Sequence, residues 1–377
     1  MIIAVNAIFF NSANLEGYGH YTVSIFKLLV QQYPEHQFVF VYDRPHSIEL
    51  IVGANVQSIT VAPAARHIPA FFYWYNISAA LAVKKLKADV WIQPYGFCSL
   101  SSTIPQVLVV HDLAFKHFPQ HISWLQRMHY STMTPRFLKK AKRVVTVSEF
   151  SKQDIIQSYP NLLLDPTVIS GAARTGFVPL SWDEKEQVKE AYTEGYEYFL
   201  CVGGINPRKN MMHILKAFSL FKKWHKSNMK LVFVGRLAWQ YQDFLEKLKT
   251  FKYRNDVVLT GYVEETILQK LTAAAYAALY VSDFEGFGLP IVEAMQSGVP
   301  VVVGNNSSMP EVGGDAVMYA DAANPENIAA QMQALYRNEK MRENLIQKGI
   351  IKATQYSWEK AAHLFWEEIL ATKAVSS

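Results

Sequence analysis

Two carboxylates eight residues apart frame a glycine turn in the run Glu285-Gly-Phe-Gly-Leu-Pro-Ile-Val-Glu293. The run follows the strand-like AALYVSD and continues through Ala294 and Met295, so it reads as a strand leaving through a turn into a helix. Gly286 and Gly288 let the backbone approach a ligand closely, and Pro290 suits a first helical turn, where its missing N–H would be unpaired anyway. Backbone N–H groups at Phe287, Gly288 and Leu289, together with the helix dipole, would then make a site for phosphate. Glu285, standing before the helix, would accept a hydrogen bond from a sugar hydroxyl. Glu293, about one turn in, would accept both hydroxyls of a ribose. The plainer alternative is a glutamate that stabilises the helix dipole, with Glu293 merely solvated.

Three other turns carry groups of the same kind. In Cys201-Val-Gly-Gly-Ile-Asn-Pro-Arg-Lys-Asn210, Arg208 and Lys209 put adjacent cations where a diphosphate would sit and can stabilise charge growing on a leaving group. An exposed basic helix start is the alternative, and the dipole disfavours it. Gly17 and Gly19, in Glu16-Gly-Tyr-Gly-His-Tyr21, follow the first strand, but a lone G-x-G also describes a plain turn. His111 ends the run TIPQVLVV. Ligands of open parallel sheets bind beyond the carboxyl ends of strands, so its ring is placed to meet a sugar hydroxyl, although histidines at strand ends are often structural.

The Glu285 to Glu293 run resembles the E-x7-E signature of the retaining glycosyltransferase group 1 family, and the resemblance extends over nearly the whole chain, most specifically from Phe199 to Val312. It implies the GT-B fold: two Rossmann-like, doubly wound α/β domains with parallel sheets facing an interdomain cleft. It also implies a nucleotide sugar bound mainly by the second domain, an acceptor bound mainly by the first, and no required metal. Lys209 falls at the family's donor-phosphate lysine. Gly204 stands where many members carry arginine, and Arg208 is the candidate to replace it. Gly17 and Gly19 resemble the family's amino-terminal glycine loop, His111 its histidine against the transferred sugar, and Tyr262 with Val263 a base-reading strand end. Asn306-Ser307-Ser308-Met309-Pro310-Glu311 resembles a loop that closes near base and phosphates, and Gly235-Arg236 is a further neighbour without an assigned role. The wording P-R-K-N and S-S-M-P-E is similar to branches rich in mannosyl and cell-surface polysaccharide transferases. GDP-mannose is therefore the first donor expected, with a saccharide or lipid-linked saccharide as acceptor.

To position these turns the chain must alternate strands with helices twice, and its patterning does so. Apolar runs at Ile2 to Phe9, Phe38 to Tyr42, Val90 to Gln93, Val107 to Val110 and Val144 to Val147 predict one parallel sheet. A second series follows at Tyr198 to Val202, Leu231 to Val234, Val257 to Thr260, Ala278 to Val281 and Val299 to Val303. Gly171 to Gly195 lacks a strand and reads as a connection. The expected division is an acceptor-binding domain over residues 1–175, a nucleotide-sugar-binding domain over 176–355, and a carboxy-terminal segment 356–377. In that segment Trp358, Ala361, Ala362, Phe365, Ile369 and Leu370 share a helical face, and by resemblance it packs back on the first domain.

Composition removes several function classes. Net charge is only +5, with a short basic cluster at Lys139, Lys140, Lys142 and Arg143, so nucleic acid is not an expected partner. The cluster fits a solvated helix end better than an anionic lipid, yet peripheral membrane contact stays open. The aromatic run Phe71 to Tyr75 likewise fits a stacked saccharide, a membrane surface or plain core. Cys98 and Cys201 are far apart, suggesting neither zinc nor disulfides, and D-x-D is absent. The MIIAVNAIFF start reads as a strand and not a leader, so a cytoplasmic protein, at most at the inner membrane face, is expected. Among rival activities an epimerase, a phosphorylase and a catalytically silent nucleotide-sugar-binding protein remain. Neither half has the G-x-G-x-x-G of a dehydrogenase.

Overall fold

The computed structural model describes residues 1–10, 15–45 and 50–374. The chain forms two α/β units, one of Met1–Gly171 with Ser357–Ser377 and one of Ala172–Tyr356. The division thus falls between Gly171 and Ala172, slightly ahead of residue 175.

In unit 1 the strands are β1 (Ile2–Asn6), β2 (Gln37–Tyr42), β3 (Val56–Thr60), β4 (Val90–Gln93), β5 (Gln106–Val110), β6 (Arg143–Thr146) and β7 (Thr167–Val168). They pair in parallel in the order 3-2-1-4-5-6-7. Unit 2 repeats the arrangement with β8 (Tyr198–Val202), β9 (Lys230–Val234), β10 (Val257–Gly261), β11 (Ala277–Tyr280), β12 (Val301–Gly304) and β13 (Met318–Ala320), in the order 10-9-8-11-12-13. Both orders are doubly wound and Rossmann-like, and each reverses its direction of growth once, between β1 and β4 and between β8 and β11. A crevice opens beyond the strand ends at such a switch point.

The central strands are apolar over most of their length because helices cover both faces. Val107, Leu108 and Val109 are buried, as are Leu231, Val232 and Phe233. The first apolar run was expected to stay extended to Phe9, but β1 stops at Asn6. There the side chain turns to accept from the Ile8 N–H and donates to Gln93 Oε1.

The last helix, Trp358–Ala374, belongs to unit 1. Trp366 stacks on Tyr33 at 3.8 Å between ring centres, and Phe365 packs edge-on to Phe26. Leu370, expected on its buried face, is exposed, and Trp366 is buried instead. Glu368 accepts from the Thr167 hydroxyl and Lys373 pairs with Asp89, so the helix is tied to β7 and to the start of β4.

Candidate donor site

The switch point of unit 2 gathers groups from three strand ends. β8 leaves through Gly203 and Gly204 into a short turn, Pro207–Lys209, and then the helix Met211–His225. Backbone geometry makes glycine necessary here. A Cβ on Gly235, which has φ +150°, would sit 2.1 Å from the Gly203 carbonyl oxygen. That contact brings the β8 and β9 exits together. Gly204, expected near the donor, lies in the same turn, where a Cβ would meet Ala238 at 3.3 Å.

From this turn Arg208 and Lys209 do not point into solvent, as a bare basic helix start would. Lys209 Nζ donates to Glu285 Oε1 at 2.8 Å and to the Tyr280 hydroxyl at 2.7 Å. Arg208 Nη1 lies 2.9 Å from Glu285 Oε2 and donates to the Phe284 carbonyl at 2.7 Å. Glu285 is therefore a buried carboxylate between two cations, each on one oxygen. Burial alone would raise its carboxyl, but Arg208 and Lys209 outweigh that and hold it down to about 2. Asp283, two residues earlier, shows the contrast: burial lifts it to about 6, with Arg208 only partly opposing. In this arrangement Glu285 organises the two cations and is not an unengaged acceptor waiting for a hydroxyl.

The turn itself is cross-braced. The Glu285 N–H donates to Ser307 Oγ, and Ser308 Oγ lies within hydrogen-bond distance of the Glu285 and Phe287 carbonyls. Asn306 donates to the Asp283 carbonyl, so the Asn306 to Glu311 loop is fastened to the acidic turn. Gly288 caps the helix Leu289–Gln296 with φ +101°, and Pro290 occupies its first turn. Phe287 is buried against Tyr356.

Glu293 departs from both sequence expectations. It is neither solvated nor presenting two unengaged oxygens: Arg174 Nε donates to Oε1 at 2.6 Å and Nη2 to Oε2 at 3.1 Å. Arg174 also lies 3.8 Å from Glu265 and over the Phe177 ring. This arginine sits on the segment read as a mere connection, 119 residues from its partner, so no local pattern could have marked it. Tyr262 and Val263 follow directly on β10, with Tyr262 half exposed.

The remaining expected groups belong to unit 1. Gly17 and Gly19 lie within the first turn of the helix Gly17–Gln32, not in a loop, and a Cβ on Gly19 would press on Leu15 at 3.0 Å. His111 follows β5. Its Nε2–H donates to the Pro94 carbonyl at 3.0 Å, which leaves Nδ1 as the acceptor, and burial lowers its pKa so that the ring is neutral at pH 7. Tyr21 packs edge-on against it. Among the described residues no group of three or more His, Cys, Asp or Glu could hold a metal ion.

Residues 183–352 match the family described as glycosyl transferases group 1, and residues 17–170 match glycosyltransferase family 4. The chain is 32% identical over 256 residues to O-antigen chain mannosyltransferase B of Escherichia coli, covering 67% of each protein. It is 27% identical to O-antigen chain mannosyltransferase RfbU of Salmonella typhimurium, covering 78% of this chain and 77% of that one. A solved structure of Anabaena Alr3699/HepE in complex with UDP and glucose superposes with a TM-score of 0.76 at 15% identity over 98% of both chains. That likeness shows the fold, which is GT-B.

Proposed function

From the premise that the chain belongs to the glycosyl transferases group 1 family, we propose that it is a retaining, metal-independent hexosyltransferase. It would move mannose from GDP-mannose to a saccharide or lipid-linked saccharide on the cytoplasmic side of cell-surface polysaccharide synthesis. The two O-antigen relatives support the mannosyl reading. HepE, a distant relative in sequence, is described with UDP and glucose, which supports a nucleoside diphosphate as leaving group.

The observation that carries the proposal is the buried Glu285 held between Lys209 and Arg208 at the unit 2 switch point. In this mechanism the donor diphosphate draws the two cations toward itself, and they stabilise the charge that develops as the glycosidic bond breaks. The helix Leu289–Gln296 adds its positive end at Gly288 and Leu289. Glu285, partly relieved of its cations, accepts from a hydroxyl of the transferred sugar. His111, neutral and with its N–H on the Pro94 carbonyl, keeps Nδ1 to accept from a sugar hydroxyl. The acceptor proton passes to the departing phosphate oxygen on the same face, so the anomeric configuration is retained without a protein nucleophile.

Thermal shift against GDP, UDP, ADP and dTDP, with and without EDTA, tests the donor. Stabilisation by GDP alone, insensitive to EDTA and lost in Lys209→Ala, is the expected outcome. The product anomer, read by NMR, tests retention. No shift with any nucleotide would overturn the transferase reading.

A further inference from the structure

Tyr280 is the last residue of β11 and is 5% exposed. The strand reads Ala-Ala-Leu-Tyr, so phenylalanine would fill this place and extend its apolar run, whereas a buried hydroxyl costs free energy unless it is hydrogen-bonded. Here it is bonded at the centre of the donor site. Lys209 Nζ donates to the tyrosine oxygen at 2.7 Å and to Glu285 Oε1 at 2.8 Å, and the same ammonium lies 4.6 Å from the centre of the tyrosine ring. The ring also lies against the start of the helix Leu289–Gln296, where a Cβ on Gly288 would meet its Cε1 at 3.2 Å. Tyr280 therefore touches the basic turn and the helix start, and one ammonium joins it to the carboxylate of the acidic turn.

A tyrosine hydroxyl both donates and accepts. This one accepts from Lys209, which leaves its own O–H to give. Burial raises it well above its ordinary 10.0 and the neighbouring Glu285 carboxylate adds to the rise, so the proton stays on. The other charged groups acting on Tyr280 and Glu285 are Arg208 from the β8 exit and Glu293 from the helix Leu289–Gln296. Asp283 lies on the same turn beside Arg208, and the Asn306 to Glu311 loop meets that turn through the Ser307 and Ser308 hydroxyls. Ser282 already donates to the carboxylate. Glu285 is only 6% exposed, so when a diphosphate draws Lys209 away, water is not at hand to replace the lost bond. The Tyr280 O–H is.

We propose that Tyr280 is a positioning residue for the transfer: it keeps Lys209 seated as that cation passes from Glu285 to the donor diphosphate, and it gives its O–H to the carboxylate oxygen that the cation leaves. The inference rests on the transferase reading. One hydroxyl serves both ends, its oxygen accepting from the ammonium throughout and its hydrogen standing in for the cation once the donor is bound. Glu285 then stays ionised and able to accept from the sugar hydroxyl. In the unliganded protein Lys209 itself holds Glu285, so the hydroxyl matters little there.

Tyr280→Phe keeps the ring and removes only the hydroxyl, and its unliganded thermal midpoint should stay within about 3 °C of wild type. Calorimetric binding of GDP-mannose to the full chain, repeated across the pH range, is the test, with UDP-glucose in its place if that is the sugar nucleotide the wild type takes. Affinity should fall about tenfold or more, the size of a lost hydrogen bond to a charged group. The acid limb of binding should also move up by about one pH unit, because Glu285 with one donor fewer takes a proton at higher pH. A residue that merely packs would weaken binding equally at every pH. Equal weakening with an unmoved limb therefore overturns the proposal, as does unchanged affinity or an unliganded midpoint that falls well beyond 3 °C or so. A wild type that binds neither sugar nucleotide overturns the transferase reading and this inference with it, whereas a binding wild type matched by Tyr280→Phe overturns the inference alone.

Discussion

Replacing Arg174 by methionine removes one partner of a buried ion pair while keeping much of the side chain's bulk. The guanidinium holds both oxygens of Glu293 at 2.6 and 3.1 Å, and Glu293 is 2% exposed. Two unit charges about 4 Å apart at an effective dielectric of about 20 attract by about 4 kcal/mol. Arg174→Met forfeits that attraction and strands a carboxylate away from water, so a loss of about 3–5 kcal/mol is expected. For a unit the size of Ala172–Tyr356 each kcal/mol lowers the unfolding midpoint by about 2–4 °C, which gives a fall of roughly 6–20 °C. Arg174→Met/Glu293→Met removes both charges and should recover most of the loss, since exchanging a whole buried pair for apolar groups is commonly close to neutral. Urea unfolding of wild type, both single variants and the double variant closes a double-mutant cycle. A coupling energy below about 1 kcal/mol, or a double variant no more stable than Arg174→Met, would refute the argument.

Glu285 and Asp283 should move stability in opposite directions with pH. The depressed Glu285 carboxyl contributes stability that is complete above its ordinary value of 4.5 and is lost as pH falls toward about 2; Glu285→Gln should abolish that loss in acid unfolding curves. Asp283 is raised from 3.8 to about 6, so its ionisation costs stability as pH climbs through that range. Asp283→Asn should therefore stabilise by on the order of 1 kcal/mol at pH 8 and by little at pH 3, and equal effects at both would contradict burial as the cause. Gly235→Ala forces a methyl carbon onto the Gly203 carbonyl and should give a folded unit 2 only with a displaced β8 exit, seen as loss of the GDP thermal shift. An unchanged shift would show that the β8 exit does not shape the donor site.

Most strands that the sequence marked are buried on both faces, where helices on either side demand apolar runs; β10, a partly exposed edge strand, was marked by its Val-Val-Leu alone. β3, β7 and β13 escaped notice for physical reasons. β3 reads Val-Gln-Ser-Ile-Thr at a sheet edge with little burial, β7 is two residues long, and β13 is a three-residue edge strand. The acidic turn and the basic turn were each legible, because glycine, proline and charge coincide within ten residues. Their mutual engagement was not: Lys209 and Glu285 are 76 residues apart, and the strand order alone decides that their turns meet. Arg174 was invisible for the same reason, and a lone arginine in a connecting segment carries no periodicity. Helix spacing also misjudged one neighbour, giving Leu370 the burial that belongs to Trp366.

The assignment of Trp358–Ala374 to unit 1 has a consequence for synthesis. When residues 1–171 have left the ribosome, Phe26 and Tyr33 still lack Phe365 and Trp366, which follow only after all of unit 2. Unit 2 is encoded without interruption and can complete its core first, although it is made second. The amino-terminal unit therefore waits, with aromatic side chains uncovered, for a helix made some two hundred residues later, and that interval is when the growing chain is most open to misassociation.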